Sequence, residues 1–310
     1  MNVVASSLNL LDRTADLLGN PQTAVKGFRA LVADMAARRG NSSPEEWRGW
    51  IAEFREHPVL GLLHQNPYTW RAFRRPRGYP GDAVLIDLVY GLGEGISLVE
   101  RATELGQRIY AEVMTVTAVK ATRGRRDYTA SLIDDACGRK SHPAILSVAC
   151  GHLREAACSG AFLAGEVGRF VALDQDRRSL RVVERELPTV ECVAGSIAQL
   201  MDSSLDPGRF DLIYTAGLYD YLDDETGSRL LHTLARSILP GGRIVVANFL
   251  PDISAAAYME AAMDWWLTYR NPEQFLNLAG GFPDSDGRRV YCDSFRHLAY
   301  LELTFGGSSV

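Results

Sequence analysis

Cysteine is scarce in this chain, and the cysteines follow no pattern. Five of the 310 residues are cysteine, an odd number that excludes a fully paired disulfide framework. Their spacing matches no common metal-binding motif, at positions 137, 150, 158, 192 and 292. We therefore expect reduced thiols, a cytoplasmic location and no bound metal.

Long hydrophobic runs and an excess of basic residues are also absent. No apolar segment approaches the roughly 20 residues that span a membrane, and no basic region followed by an apolar run stands near the N-terminus. We therefore expect neither secretion nor membrane insertion. The net charge of −5 argues against nucleic acid as a partner. With 46% hydrophobic and 23% charged residues, the composition is that of a globular enzyme, and the length predicts a main domain plus an extension.

The three-glycine fingerprint of dinucleotide sites is missing as well. Ala144–Glu155 predicts an apolar strand, a tight turn and a helix that follows at once, a unit that surrounds nucleotide-like ligands. The fingerprint positions hold Ala149, Gly151 and Arg154, and Arg154 is too bulky for close packing beneath a pyrophosphate. A nucleoside cofactor without a pyrophosphate needs only one glycine, so the turn favours S-adenosylmethionine over NAD.

A second apolar strand, Phe170–Leu173, ends at an acidic residue. Asp174 follows Gly151 by roughly 20 positions, the spacing at which a carboxylate binds the hydroxyl groups of a ribose. We predict that Asp174 accepts hydrogen bonds from both hydroxyls and that Gln175 accompanies it at the ribose or adenine.

The later segments follow the order of strands and turns in a known family. Between Tyr128 and Phe305 the chain resembles the class I S-adenosylmethionine-dependent methyltransferases. The resemblance implies an α/β fold, a seven-stranded Rossmann-like methyltransferase sheet with an antiparallel C-terminal hairpin, preceded here by an N-terminal helical extension. It rests on Ser147–Gly151, Val193–Ser196, Phe210–Gly217, Leu239–Asn248 and the two predicted hairpin strands Arg289–Cys292 and His297–Thr304. The chain departs from the family at Ser147, where many members have an acid, at Ala149 and Leu153, which replace glycines, and at Ser196, which replaces an aspartate.

The same resemblance implies the contacts to the cofactor. Gly151 lets the backbone approach the methionine portion, and carbonyl groups at the end of the fourth strand face its amino group. Glu155 binds the ammonium in this interpretation, or simply suits the start of a helix as an acid. The predicted set is Ala149, Gly151, Glu155, Asp174, Gln175, Ser196, Ile197, Ala216 and Gly217.

We predict two domains: a helical extension and substrate lid at residues 1–125, and an S-adenosylmethionine-binding Rossmann-like domain at residues 126–310. Apolar spacing predicts several helices, and Ser43–Glu46 has the pattern of a capping box. The predicted helices are Leu8–Leu18, Ala24–Ala37, one long helix over Ile96–Ala121, then, after a charged link at Arg123–Asp127, Tyr128–Ala136, and later Ala255–Tyr269 and one starting at Asn271.

The extension contains a loop with two prolines and two glycines, Arg74–Asp82. It resembles the Lys/Arg-Pro-Arg-Gly-Tyr-Ala-Gly-Asp loop of a bacterial methyltransferase group that includes enzymes thought to make 3-hydroxy fatty acid methyl ester (extracellular factor) signals. Tyr214–Leu222 and Trp265–Arg270 also match that group. This resemblance implies a cofactor lid or substrate contact at Arg77 and Tyr79; the alternative is that Tyr79 and Asp82 only pin the loop.

Candidate residues for chemistry and for the substrate follow from these segments. His152 and Tyr79 are predicted proton acceptors and Arg77 a catalytic or anchoring cation, although His152 equally suits a plain loop residue. Aromatic side chains with a cation that binds a carboxylate are typical of small-molecule pockets, although tryptophans at helical spacing also suit a core. The predicted substrate residues are Tyr219, Tyr221, Trp266, Tyr269 and Arg270.

We interpret the chain as a methyltransferase that acts on oxygen, a carboxylate or hydroxyl, of a small molecule. The fourth strand ends without the Asn/Asp-Pro-Pro-aromatic motif used on planar amines, which disfavours methylation of bases or amides. Two alternatives stay open: an RNA or other nucleic-acid methyltransferase, suggested by arginines at 71, 74, 75 and 77 and by the basic stretch from Lys120 to Arg126, and a non-catalytic cofactor-binding protein. We expect a small-molecule methyl acceptor and no membrane partner; a homodimer stays open.

Overall fold

The computed structural model describes residues 3–282 and 287–306. The chain divides into two compact units, one formed by residues up to Lys120 together with Asp252–Trp266, the other by Ala121–Pro251 and the residues from Leu267 onward. Within the described ranges, no helix combines the length and the apolar composition that a membrane crossing requires. The proposed functional division at residue 125 stays a prediction.

The second unit is built on a seven-stranded sheet in the order β3-β2-β1-β4-β5-β7-β6. The first five strands are parallel, and β7 runs antiparallel to both β5 and β6. This confirms the predicted α/β fold with its C-terminal hairpin. The strands are β1 Ala144–Val148, β2 Arg169–Asp174, β3 Glu191–Ala194, β4 Phe210–Thr215, β5 Ile238–Phe249, β6 Gly287–Cys292 and β7 Leu298–Thr304.

Helices surround this sheet and make up most of the first unit. In chain order they are α1 Val3–Leu18, α2 Ala24–Asn41, α3 Pro44–Glu56, α4 Val59–Leu63, α5 Pro67–Arg74, α6 Ala83–Tyr90, α7 Gly93–Glu100, α8 Glu104–Val113, α9 Thr117–Arg139, α10 Gly160–Leu163, α11 Arg177–Glu186, α12 Ile197–Met201, α13 Asp224–Ala235, α14 Ala256–Ala262 and α15 Pro272–Asn277. Ser43 forms the predicted capping box with Glu46 at the start of α3.

The central strands β1, β2 and β4 consist mostly of apolar residues, as expected for parallel strands covered on both faces. Leu146, Val171 and Ile213 are fully buried and belong to one core cluster, to which Phe275 of α15 contributes from outside the sheet. The carboxyl ends of β1 and β4 are neighbours at the point where the strand order reverses. Ligands of open α/β sheets bind at such a point.

The predicted long helix Ile96–Ala121 is wrong. Thr103 starts α8 by accepting a hydrogen bond from the N–H of Gly106, which separates α8 from α7, and a turn separates α8 from α9. The predicted link Arg123–Asp127 is instead the interior of α9. Arginine is a good helix former, so a charged stretch does not by itself end a helix.

The helix predicted directly after the β1 turn is also wrong. Only one 3₁₀ turn, Ala156–Cys158, and the four-residue α10 form there. Ser159 has an extended backbone, and the Asp134 carboxylate on α9 accepts hydrogen bonds from its hydroxyl and from the N–H of Ala161. These bonds satisfy donors locally that a continuous helix would pair with its own carbonyls.

The predicted helix Ala255–Tyr269 is shorter than expected, because α14 ends at Ala262. Asp264 has a left-handed backbone with φ 48°, and its side chain accepts hydrogen bonds from Arg55, Arg75 and the Trp266 indole. Within the first unit, α14 is anchored by Glu260, which is buried and accepts from Arg39 and Trp47 at 2.7–2.9 Å.

Candidate functional site

The turn after β1 carries three left-handed residues at alternate positions. Ala149, Gly151 and Leu153 have φ of 54°, 57° and 50°. A left-handed backbone costs roughly 1–2 kcal/mol for a residue with a Cβ. The turn therefore keeps the backbone conformation for which glycine is best suited, although glycine is present at only one of the three positions.

The Asp174 carboxylate holds this turn to the end of β2. One carboxylate oxygen accepts the N–H of Gly151 at 2.8 Å and the other accepts the N–H of Asp176, also at 2.8 Å. Burial raises the pKa of Asp174, and the two N–H groups oppose that shift. Because a carboxylate oxygen accepts more than one hydrogen bond, each oxygen keeps capacity for a hydroxyl group. Gln175 beside it is exposed.

A backbone hydrogen bond joins the end of β3 to Asp174. The N–H of Gly195 donates to the carbonyl oxygen of Asp174 at 3.0 Å. Ser196 then starts α12 by accepting from Gln199, whose side chain accepts in return from the N–H of Ser196. Ser196 and Ile197 thus lie next to the Asp174 strand end, half-buried, and their adenine contact stays a prediction.

The end of β4 carries one polar side chain, Thr215, close to the proposed cofactor site. The hydroxyl of Thr215 is buried and has no hydrogen-bond partner within the described residues. Ala216 and Gly217 follow, both half-buried. A Cβ at Gly217 would stand 3.6 Å from a guanidinium nitrogen of Arg125, so the end of β4 lies within contact distance of that cation.

Arg125, on α9, is a residue that the sequence interpretation missed as a site residue. Its side chain is buried, and among the described residues Nε and Nη1 have no acceptor. The guanidinium lies 5.8 Å from the ring centre of Phe249. Extending the predicted Tyr128–Ala136 helix backward would have placed residue 125 on the same face as the buried Thr129 and Leu132.

Asp220, in the 3₁₀ turn after β4, is a second missed residue. One oxygen accepts the N–H of Phe249 at 2.7 Å and the side-chain amide of Asn248 at 3.0 Å. The other lies 3.9 Å from Nη1 of Arg125. Burial raises the pKa of Asp220 to about 6, with Arg125 opposing the shift most strongly. No sequence pattern separated this acid from surface acids.

Glu155 and His152 follow the β1 turn. Glu155 is buried and accepts the hydroxyl of Tyr214 at 2.9 Å; burial raises its pKa, while the charge of Arg125 is among the effects that lower it. Glu155 directly precedes the 3₁₀ turn Ala156–Cys158 and makes no side-chain capping bond there; its role at the ammonium stays a prediction. His152 is buried close enough to Asp174 to lower the pKa of that carboxyl.

Two of the predicted substrate residues, Arg270 and Tyr219, are buried and form hydrogen bonds within the chain. Arg270 is 1% exposed, and its five N–H groups face Asp224, Asn248 and the carbonyls of Tyr219 and Leu222. Tyr219 is fully buried and donates its hydroxyl to the carbonyl of Gly227. Both side chains therefore hold the loop after β4 through bonds within the chain, and their roles at the substrate stay predictions. Tyr221 is exposed and Tyr269 half-buried.

The remaining candidates, Arg77, Tyr79 and Trp266, belong to the first unit. Arg77 and Tyr79 are half-buried and Trp266 is exposed. The alternative that the loop is pinned locally holds for Asp82, whose buried carboxylate accepts from Arg71 and from the N–H of Leu85. The chemical roles of Arg77 and Tyr79 stay predictions.

Comparison with known proteins supports the fold. A possible exported protein from Bordetella parapertussis matches with a TM-score of 0.55 at 17% identity, over 86% of this chain and 99% of that chain. Human N-acetylserotonin methyltransferase matches with a TM-score of 0.43 at 16% identity, over 71% of this chain and 62% of that chain. Magnesium protoporphyrin IX methyltransferase from Synechocystis matches with a TM-score of 0.44 at 15% identity, over 73% of this chain and 98% of that chain. No family model and no curated protein matches the chain. At 17% identity, the match to the Bordetella protein supports the fold alone.

Proposed function

We propose that this protein is an S-adenosylmethionine-dependent methyltransferase that acts on an oxygen atom of a small molecule. The observation that carries the proposal is the Asp174 carboxylate, which fixes the β1 turn through Gly151 and keeps acceptor capacity on both oxygens. A buried acid at this sheet edge suits the two hydroxyls of a ribose.

The residues at the strand ends fit the other parts of the cofactor. An adenosine with an amino-acid tail needs a ribose acceptor, an acid for its ammonium and a donor for its carboxylate, and Asp174, Glu155 and Arg125 offer these three groups in one unit. The orphaned Thr215 hydroxyl is a further sign of a ligand site. The cofactor supplies an electrophilic methyl group when it is bound.

The protein's task in this reaction is to position the acceptor oxygen in line with the methyl group and to exclude water. A carboxylate acceptor is ionised at neutral pH and needs no base, whereas a hydroxyl acceptor needs one. We propose His152 or Tyr79 as that base and Arg77 as an anchor for an acidic acceptor. The resemblance of the Arg74–Asp82 loop supports a carboxylate, and hence an acid methyl ester as product.

A methyl-transfer assay with matched acceptors tests this proposal. A 3-hydroxy fatty acid and its methyl ester differ only in whether the carboxylate is free. With methyl-labelled S-adenosylmethionine, we expect base-labile label on the free acid and none on the ester. Equal label on both would indicate the hydroxyl instead. Label on RNA or on amines, with none on either lipid, would contradict the proposal of a small-molecule oxygen acceptor.

A further inference from the structure

Arg125 buries a positive charge that the second unit leaves incompletely satisfied. Its side chain is 7% exposed, and Nε and Nη1 find no acceptor among the described residues. Arg270 in the same unit is equally buried but has an acceptor at each N–H. Since buried charges are normally paired and hydrogen-bonded, the orphaned donors of Arg125 point to a ligand rather than to a structural role.

The surroundings of Arg125 restrict what that ligand is. The Phe249 ring lies against the guanidinium, and Gly217 lies beside the guanidinium nitrogens. One oxygen of Asp220 lies 3.9 Å from Nη1, and its other oxygen accepts from the N–H of Phe249. The planar fork of an arginine suits a carboxylate, which accepts two parallel hydrogen bonds.

A buried acid of opposite charge lies within electrostatic reach. The charge of Arg125 lowers the pKa of Glu155, whose carboxylate also accepts from its own backbone N–H and from the hydroxyl of Tyr214. A ligand with only a carboxylate would be repelled by Glu155 and Asp220. An α-amino acid carries a carboxylate and an ammonium on the same carbon, so it complements both signs.

We infer that Arg125 binds the carboxylate at the amino-acid end of the cofactor, with Glu155 accepting from its ammonium. This inference rests on the proposed function, since the cofactor of that reaction ends in an α-amino acid. It assigns to Arg125 the recognition of the methionine portion, separately from the ribose contact proposed for Asp174.

Two ligands that differ in this portion test the inference. S-Adenosylhomocysteine has the amino-acid end, whereas 5′-methylthioadenosine lacks it and retains the adenosine. Calorimetric titration of each into the full-length protein compares wild type, Arg125→Met and Arg125→Lys, with Arg139→Gln on the exposed face of α9 as control. We expect Arg125→Met to weaken the binding of S-adenosylhomocysteine at least tenfold, about 1.4 kcal/mol. The same variant should weaken the binding of methylthioadenosine less than threefold. The effect of Arg125→Lys on each affinity should be intermediate.

The melting temperature without ligand separates recognition from folding. Because Arg125→Met leaves the buried Asp220 carboxylate without this cation, we expect the variant to unfold below the wild-type temperature while staying folded at the temperature of the titrations. Should Arg125→Met fail to fold, the Lys variant carries the same comparison between the two ligands. Equal weakening of both ligands, or weakening of neither, would overturn the inference and leave the proposed function standing. Failure of the wild type to bind either ligand would overturn both.

Discussion

Ala149 and Leu153 adopt backbone angles that are costly for residues with a side chain. The chain keeps them because neighbouring contacts fix the turn: the N–H of Cys150 donates to the carbonyl of Leu173, and the N–H of Gly151 donates to Asp174. Strain of this kind persists where the surrounding structure determines it, and it is common at ligand sites.

Relief of this strain is measurable at Ala149. We expect Ala149→Gly to raise the free energy of unfolding by about 0.5–1 kcal/mol, because glycine adopts a left-handed backbone without a steric penalty. The control is Ala198→Gly at an exposed position of α12. There the same change should lower the free energy of unfolding by about 1 kcal/mol. Urea denaturation measures both. A loss of stability at position 149 as large as at 198 would contradict the strained geometry.

Asp220 makes a second residue-scale prediction, a pH dependence. Its pKa is about 6 in the folded chain and near 3.8 when unfolded, so the folded state binds more protons between these values. Stability from this group therefore rises as pH falls from about 6 to about 4, and is lost as pH rises through 6. We expect wild type to gain stability relative to Asp220→Asn over that interval, measured by urea denaturation at several pH values. A difference that is flat with pH, or of opposite slope, would be incompatible with the burial of a charged Asp220.

At the scale of elements, the loop after β4 depends on Arg270. Its guanidinium joins Asp224 at the start of α13 to Asn248 at the end of β5 and to two carbonyls of the loop. The 3₁₀ turn that carries Asp220 lies within this loop. A buried arginine that connects several elements therefore keeps one side of the proposed site in position.

Removal of this arginine should be costly. We expect Arg270→Met to lower the free energy of unfolding by about 3–5 kcal/mol, since several buried acceptors lose their donors. The exposed Arg236, just after α13, is the control, and Arg236→Met should change it by less than about 0.5 kcal/mol. Guanidinium chloride denaturation compares the two variants. A small effect at Arg270 together with a large loss of ligand affinity would instead support its predicted role at the substrate.

The elements also show what the sequence permits and where it fails. The strands and the hairpin were predictable because apolar runs and turn residues mark them locally. The end of α14 and the missing helix after the β1 turn were not, because they depend on hydrogen bonds with distant residues such as Asp134, Arg55 and Arg75. The break before α8 has a local cause instead, the Thr103 cap.

At the scale of the whole molecule, the second unit combines a predictable fold with a partly hidden site. Asp174 was predictable because it ends an apolar strand at a known spacing from a turn glycine. Arg125 and Asp220 were not, since burial alone separates them from the many charged residues on the surface. The assignment of Asp252–Trp266 to the first unit likewise depends on tertiary contacts, such as those of Glu260 with Arg39 and Trp47.

The central claim is that an adenosine cofactor binds at Asp174. Calorimetric titration of S-adenosylhomocysteine into wild type and Asp174→Ala, with NADH as a control ligand and Asp34→Asn as a control variant in the first unit, tests it most directly. We predict micromolar binding to wild type and to Asp34→Asn, a weakening of tenfold or more, about 1.4 kcal/mol, in Asp174→Ala, and no binding of NADH. If wild type does not bind S-adenosylhomocysteine, or if Asp174→Ala binds it as tightly as wild type does, the claim is wrong.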